Sequence, residues 1–243
     1  MSKVRVLFLM VALLLFALPL QAQDVEIESI TFARDVTFGN ITPLQADTIF
    51  PNTLTVVYAV VTGEGIEPGE SVDILWLFEG DEVDSLTWEN TTESDEFAFW
   101  TNWSDPIALD EGDWAVEVYY DGDLIESAEM TVTDDPYIFP LRFAQDCGRE
   151  TGQLLNEGDV LEDLDYVYVY AEFVNFDEQQ VRALWSIDDE IFDLDIETEF
   201  DGDDWLCFFL TNGGDPLPSG DYRLIITDED GDELRESHEV EIN

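Results

Sequence analysis

Three sets of side chains in this sequence have types and spacings suited to chemistry. Carboxylates crowd the turns. Asp228, Asp230, Asp232 and Glu233 surround Gly231, Asp201, Asp203 and Asp204 surround Gly202, and Asp188, Asp189 and Glu190 run together. Calcium takes roughly six to eight oxygen ligands, and clustered carboxylates can supply them. The ordered spacing of an EF-hand loop and its distal Glu are missing, so solvated hairpin turns are the competing reading. Calcium is the one cation these turns would take, and no other cofactor is called for. The second set is Cys147 and Cys207, the only cysteines in the chain. The third is the stretch D-Y-V-Y-V-Y-A-E-F-V from Asp165 to Val174. Alternation along a strand sends Val167, Val169, Ala171 and Phe173 to one face and Tyr166, Tyr168 and Tyr170 to the other. Three phenols in a row make a flat amphipathic strip that can stack on sugar rings or anchor a protein partner. The competing reading covers that strip with another part of the chain. The corresponding face of the first repeat carries Leu54, Val56 and Tyr58, so the ladder reads as particular to the second.

Catalytic constellations are poorly supported. His238 is the only histidine, placed by the repeat in the last strand opposite Ala128, where a structural role is expected. No G-x-S-x-G elbow, glycine-rich phosphate loop, H-E-x-x-H or C-x-x-C spacing occurs. A single His with two Cys is a poor zinc set. Paired carboxylates hydrolyse glycosides, but with 58 acidic residues chance pairs are everywhere and single out no site. A non-catalytic protein is therefore expected, and an exported glycoside hydrolase using a carboxylate pair is the alternative.

The charge narrows the partners. The formal net charge is −50, from 8 basic and 58 acidic residues. Lys3 and Arg5 lie in the N-terminal segment, and beyond it every basic side chain except His238 is an arginine. A phosphate backbone needs a basic footprint, so nucleic acid is excluded. Anionic membrane surfaces are disfavoured for the same reason. With 45% hydrophobic and 13% aromatic residues, the chain has enough apolar surface to build cores, so disorder does not explain the charge.

Residues 1–22 read as a signal peptide. Lys3 and Arg5 form a basic start, Val6–Leu18 an apolar run, and Ala22 a small residue for cleavage. The run is shorter than the roughly 20 residues that span a bilayer. The expected location is secreted or periplasmic, with no membrane attachment after cleavage and an oligomeric state left open.

The rest of the chain must position these groups, and it does so with one stretch used twice. G-D-W-A-V-E-V-Y-Y-D-G-D-L begins at Gly112, and G-D-Y-R-L-I-I-T-D-E-D-G-D-E-L begins at Gly220. Each reads as a strand, an Asp-Gly turn of type I′ and a second strand. Further matches keep a nearly constant offset: Phe32–Asp35 with Phe143–Asp146, Leu75-Trp76 with Leu184-Trp185, and Asp105-Pro106 with Asp215-Pro216. The repeat divides the chain into units at 23–134 and 138–243, with the joint at Asp134-Asp135-Pro136-Tyr137. In the second unit strands are expected near Ile138–Gln145, Tyr166–Val174, Val181–Ile187, Ile191–Glu197, Trp205–Thr211, Tyr222–Thr227 and Leu234–Ile242. About seven short strands in about 100 residues, without a helical period, indicate a β-sandwich. Val72, Ile74, Trp76 and Phe78 share one face, as do Val181, Ala183, Trp185 and Ile187.

The doubled block, with Trp114 or Tyr222 opening an alternating strand, resembles the final hairpin of immunoglobulin-like modules of secreted and surface bacterial proteins. The resemblance covers both units and speaks to architecture. It implies an all-β chain of two tandem immunoglobulin-like antiparallel sandwiches, acting as an adhesive, ligand-binding or spacer module, with an extracellular protein or glycan as partner. The cysteines depart from the antibody arrangement. Cys147 aligns with Val36 and Cys207 with Phe97, both apolar, so the two are expected to meet in a core and form a disulfide.

Overall fold

The structure, a computed structural model, describes residues 25–148, 152–162 and 164–243, with the side chains at 178 and 192–203 outside that description. The expected signal peptide, residues 1–22, lies outside the described residues. All regular elements among the described residues are strands.

The first half contains β1 (Glu26–Thr37), β2 (Thr42–Ala46), β3 (Ile49–Pro51), β4 (Val56–Glu64), β5 (Ser71–Phe78), β6 (Asp81–Glu89), β7 (Phe97–Ser104), β8 (Gly112–Tyr120) and β9 (Asp123–Thr133). They form two sheets, β2-β1-β4-β7 and β3-β9-β8-β5-β6. All pairs are antiparallel except β3 with β9. This is the immunoglobulin-like plan, in which strands A, B and E make one layer and G, F and C the other.

The second half repeats the plan with fewer breaks. Its strands are β10 (Tyr137–Ile138), β11 (Arg142–Cys147), β12 (Leu154–Glu157), β13 (Val160–Leu161), β14 (Tyr166–Ile187), β15 (Glu190–Thr211), β16 (Gly220–Asp228), β17 (Glu233–Glu236) and β18 (Val240–Ile242). The N-terminal part of β14 pairs with β11, as β4 does with β1, and the C-terminal part pairs with β16, as β5 does with β8. The parallel pair recurs as β13 with β18. Two pairs of expected strands are thus each one long strand, so both layers belong to one nine-stranded sheet. The cause is local. The first half breaks the chain with Gly65 and Gly69, both at positive φ, around Pro68. The second half has Asn175–Gln180 there, with neither Gly nor Pro. It bends by register shifts near Phe173, Phe176 and Gln179 instead. The expected last strand is in turn divided into β17 and β18, with His238 in the link between them.

Two cores result. One gathers Phe32, Val72, Ile74, Trp76, Trp114 and Val116 with their neighbours, and the other Phe143, Val167, Val169, Trp185, Tyr222 and Leu224 with theirs. Trp76 and Trp185 are fully buried on the third strand of each plan, where the alternation places them. Burying a side chain of this class stabilises by roughly 2–3 kcal/mol.

The doubled Gly-Asp-aromatic block has a physical reason in each of its residues. Asp113 N–H donates to Glu79 Oε1 at 3.0 Å, and Glu79 N–H returns a bond to the Asp113 carbonyl at 2.8 Å. Asp221 and Asp188 repeat this clamp at 3.0 and 2.9 Å. The clamping carboxylate fills the space of a glycine side chain. A Cβ at Gly112 would stand 2.3 Å from Glu79 Oε1, and one at Gly220 2.9 Å from Asp188 Oδ1. The aromatic residue then closes the corner. Trp114 Nε1 donates to the Asp110 carbonyl at 2.9 Å, and the Tyr222 hydroxyl to the Pro218 carbonyl at 2.6 Å. The second of these is the tyrosine corner of immunoglobulin-like sandwiches, and the first does the same work with an indole. The following turns differ. Asp121 and Gly122 both have positive φ, as type I′ requires, whereas in the second block only Gly231 does. There the Asp228 amide bonds the Asp232 carbonyl across a longer turn.

Candidate functional site

Alternation along β14 places the tyrosines as its sequence implies. Val167, Val169, Ala171 and Phe173 are fully buried in the second core, and Tyr166, Tyr168 and Tyr170 face the other way. Tyr166 is 43% exposed, while Tyr168 and Tyr170 are half-buried. The neighbouring part of β15 widens the strip. Phe209, 45% exposed, lies 6.1 Å from Tyr168 between ring centroids, and Trp205 stacks on Tyr170 at 5.8 Å and 20°. Tyr166 and Tyr168 stack at 6.5 Å. Sequence reading missed Trp205 and Phe209. The run W-L-C-F-F-L-T alternates too, and its outward members were legible only once its pairing with β14 was known.

Tyr170 is the most tightly held ring. The Arg142 guanidinium lies 4.7 Å from its centroid. Gly152, at φ 63°, backs onto it so closely that a Cβ there would stand 2.9 Å from Tyr170 and 3.2 Å from Trp205. Burial, and after it the charge of Glu172, push the Tyr170 phenol above its ordinary value, against Arg142 and Arg34. It therefore stays protonated and able to donate at neutral pH. Beyond Tyr170 the strip runs into a hollow of about 330 Å³ lined by Arg34, Leu54, Phe139, Tyr170, Glu172 and Trp205. Arg34 Nη1 bonds Glu172 Oε2 at 2.6 Å, and its guanidinium sits 4.3 Å from the Phe139 centroid. The arrangement combines flat aromatic faces with charged groups able to bind hydroxyls. Among the described residues it brings no nucleophile and base into contact.

The first half carries one tyrosine of the ladder, in a register shifted from the alignment read in sequence. Ala33 pairs with Tyr58, and its repeat partner Ala144 with Tyr168. The counterparts of Tyr166, Tyr168 and Tyr170 are therefore Val56, Tyr58 and Val60, two residues on from the alignment read in sequence. Trp100 contacts Tyr58 at 5.6 Å and Phe38 at 5.7 Å, giving the first half its own smaller aromatic cluster.

Cys147 and Cys207 are bridged, with Cα atoms 6.4 Å apart, inside the range a disulfide spans. Their setting differs from the expected core. Cys207 pairs with Tyr170 and Trp100 with Val60, so the counterpart of Cys207 is Trp100, not Phe97. Cys207 is half-buried, and it is Phe208 beside it that enters the core. The bridge thus ties β11 to the tyrosine-bearing face.

The acidic turn is brought together in part. Asp228 Oδ1 accepts from the amides of Asp230 at 3.0 Å and Asp232 at 2.8 Å, so it organises its own loop. Among the described residues no three His, Cys, Asp or Glu side chains converge as for a metal ion. The side chains of Asp201 and Asp203 lie outside the described residues. His238 Nε2 sits 2.9 Å from Asp159 Oδ1, half exposed, with its ring 5.8 Å from Phe143. Asn90, one of three Asn-x-Ser/Thr sites with Asn40 and Asn102, is fully buried, and its amide donates to the carbonyls of Ile66 and Ser94.

No family model matches the chain, and no curated protein does. Among solved structures it is similar to an immunoglobulin-like protein of Pseudomonas aeruginosa, at 16% identity and a TM-score of 0.33 over 46% of this chain and 99% of that one. It is similar to an ICAM-5 D1–D4 ectodomain fragment at 14% identity and a TM-score of 0.28, over 91% of this chain and 54% of that one. The BSP domain of a biofilm-associated protein matches at 14% identity and a TM-score of 0.26, over 81% and 28%. The chain therefore spans about half the length of the ICAM-5 fragment and under a third of the biofilm-associated one.

Proposed function

We propose that the chain is an exported, non-catalytic binding module of two immunoglobulin-like units, 23–134 and 138–243, whose ligand is a glycan held on the face of Tyr166, Tyr168 and Tyr170. The observation that carries this is the outward-facing, partly exposed aromatic strip itself, extended by Phe209 and Trp205 and ending at Arg34 and Glu172. Sugar rings present C–H faces that stack on aromatic rings, and their hydroxyls bond to phenols and carboxylates. The disulfide agrees with an oxidising compartment outside the cytoplasm. In a chain of net charge −50, an uncharged or cationic sugar is favoured over an anionic one.

The test is capture on an array of immobilised oligosaccharides and extracellular proteins, comparing the protein with Tyr168→Ala. Loss of glycan capture with the melting temperature held within a degree or two supports the reading. Glycan capture that survives the substitution contradicts it, and so does capture of proteins alone. Reducing sugar released from a bound oligosaccharide would favour the hydrolase alternative.

A further inference from the structure

The first half leaves one long strand with a free and unprotected edge. β7 ends its sheet, with β4 on one side and no described strand on the other. Its eight residues, F-A-F-W-T-N-W-S, include no charge and no proline. The other strands that end sheets in this half are blunted. β2 has five residues and includes Pro43, β3 has three and ends on Pro51, and β6 carries Asp81, Glu82, Asp84 and Glu89. Charges, prolines and shortness are the usual means of keeping a sheet edge from pairing. β7 has none of them, although the chain spends 58 residues on carboxylates elsewhere.

The surroundings of the strand specify what would pair with it. Ala98 and Trp100 on its outward face are exposed. On the inner side Trp88 of β6 stacks on Phe99 at 4.5 Å and packs against Phe97 at 5.4 Å, closing the core beneath the edge. Carboxylates bracket the strand: Glu93, Asp95 and Glu96 precede it and Asp105 follows it. A second copy laid antiparallel would set these carboxylates against their own kind at both ends, which like-charge repulsion opposes. An extended foreign segment with an apolar middle and a basic residue at each end meets no such penalty. We propose that the free edge of β7 is a docking site for an extended segment of a basic protein partner, which joins the sheet as a further antiparallel strand. Main-chain hydrogen bonds give the affinity, and the bracketing carboxylates set the length at about eight residues, or about 26 Å.

The probe is a synthetic peptide with three Thr-Val repeats between Lys-Arg and Arg-Lys ends, titrated against the protein by fluorescence anisotropy, with amide hydrogen exchange locating it. Binding is expected to protect residues 97–104 and to weaken in molar NaCl. Exchanging the basic ends for Glu-Glu, or N-methylating alternate amides, is expected to abolish it. Ala98→Glu places a charge on the exposed side of the edge without removing a buried group. It should weaken binding about tenfold or more with an unchanged melting temperature. Three outcomes would overturn the proposal: no binding at millimolar peptide, protection confined to residues outside 97–104, or a concentration-dependent dimer that Ala98→Glu dissolves. The last would assign the edge to a second copy of the chain.

Discussion

Arg235 and Asp47, far apart in sequence, form an ion pair that joins the two halves of the molecule. Arg235 Nη2 stands 2.5 Å from Asp47 Oδ2, and the same oxygen accepts the Tyr137 hydroxyl at 2.7 Å. The Arg235 guanidinium also lies 5.8 Å from the Tyr137 centroid. On the other side of the joint Arg34 pairs with Glu172. Two of the few arginines in a strongly acidic chain are thus used where its halves meet, around a small apolar cluster of Tyr137, Phe139, Val174 and Leu54.

Neutralising the shared carboxylate weakens that joint. Asp47→Asn leaves Arg235 facing an amide and is expected to cost about 2 kcal/mol in urea unfolding, with Tyr137→Phe costing about 1 kcal/mol. Small-angle scattering of Asp47→Asn should show a larger radius of gyration. An unchanged radius with unchanged stability would show that the pair does not hold the halves together.

The same pair makes the joint sensitive to acid. Burial alone would raise the Asp47 carboxyl, but hydrogen bonds from Tyr137, Arg235 and the Thr48 amide, with the charge of Arg235, hold it below its ordinary value. A carboxyl depressed in the folded state contributes stability above its unfolded value of about 3.9 and loses it as pH falls through the folded value. Melting temperature should therefore fall below about pH 4, and the fall should be smaller in Asp47→Asn. Burial, followed by the Asp47 bond, pushes the Tyr137 phenol far up, so this contact is not expected to be lost by Tyr137 ionisation in mildly alkaline solution.

The disulfide closes a loop of 60 residues. Reduction, or the pair Cys147→Ser with Cys207→Ser, is expected to cost about 4 kcal/mol on the chain-entropy model. Because Cys207 pairs with Tyr170, reduction should also loosen the aromatic strip, read as faster exchange of the amides at 205–211. Equal exchange in both redox states would separate the bridge from the strip.

The two core tryptophans differ in one bond. Trp76 Nε1 donates to Thr101 Oγ1 at 3.2 Å. The position matching Thr101 in the second half is Phe208, and Trp185 Nε1 has no partner among the described residues. Thr101→Val is expected to cost about 1–3 kcal/mol by orphaning a buried donor. Trp185→Phe loses packing area but removes an unpaired group, so it should cost less than Trp76→Phe. The reverse order in urea unfolding would contradict this account of the second core.

Much of the fold was legible because the side chains that set it are apolar and alternate. The buried faces led by Trp76, Trp185, Trp114 and Tyr222 follow from period-two spacing alone. The long strands were hidden because Asn175–Gln180 is polar and reads as a loop, while lacking the Gly and Pro that make the matching loop in the first half. The tyrosine face was visible for the same reason as the core, by alternation. Trp205 and Phe209, and the pairing of Arg34 with Glu172, depend on strand register and on how the halves meet. Neither leaves a trace in local spacing, and a three-residue slip in the repeat alignment was enough to hide Trp100 as the counterpart of Cys207.

The central claim, a ligand held on the outward tyrosines of β14, is tested most directly by ring 13C labelling of tyrosine. The ring signals are assigned by single Tyr→Phe substitutions and followed as an array-selected oligosaccharide is added. The account predicts that the signals of Tyr166, Tyr168 and Tyr170 move together and saturate, while those of Tyr119 and the buried Tyr222 stay in place. Binding that leaves the three β14 signals unmoved would contradict it.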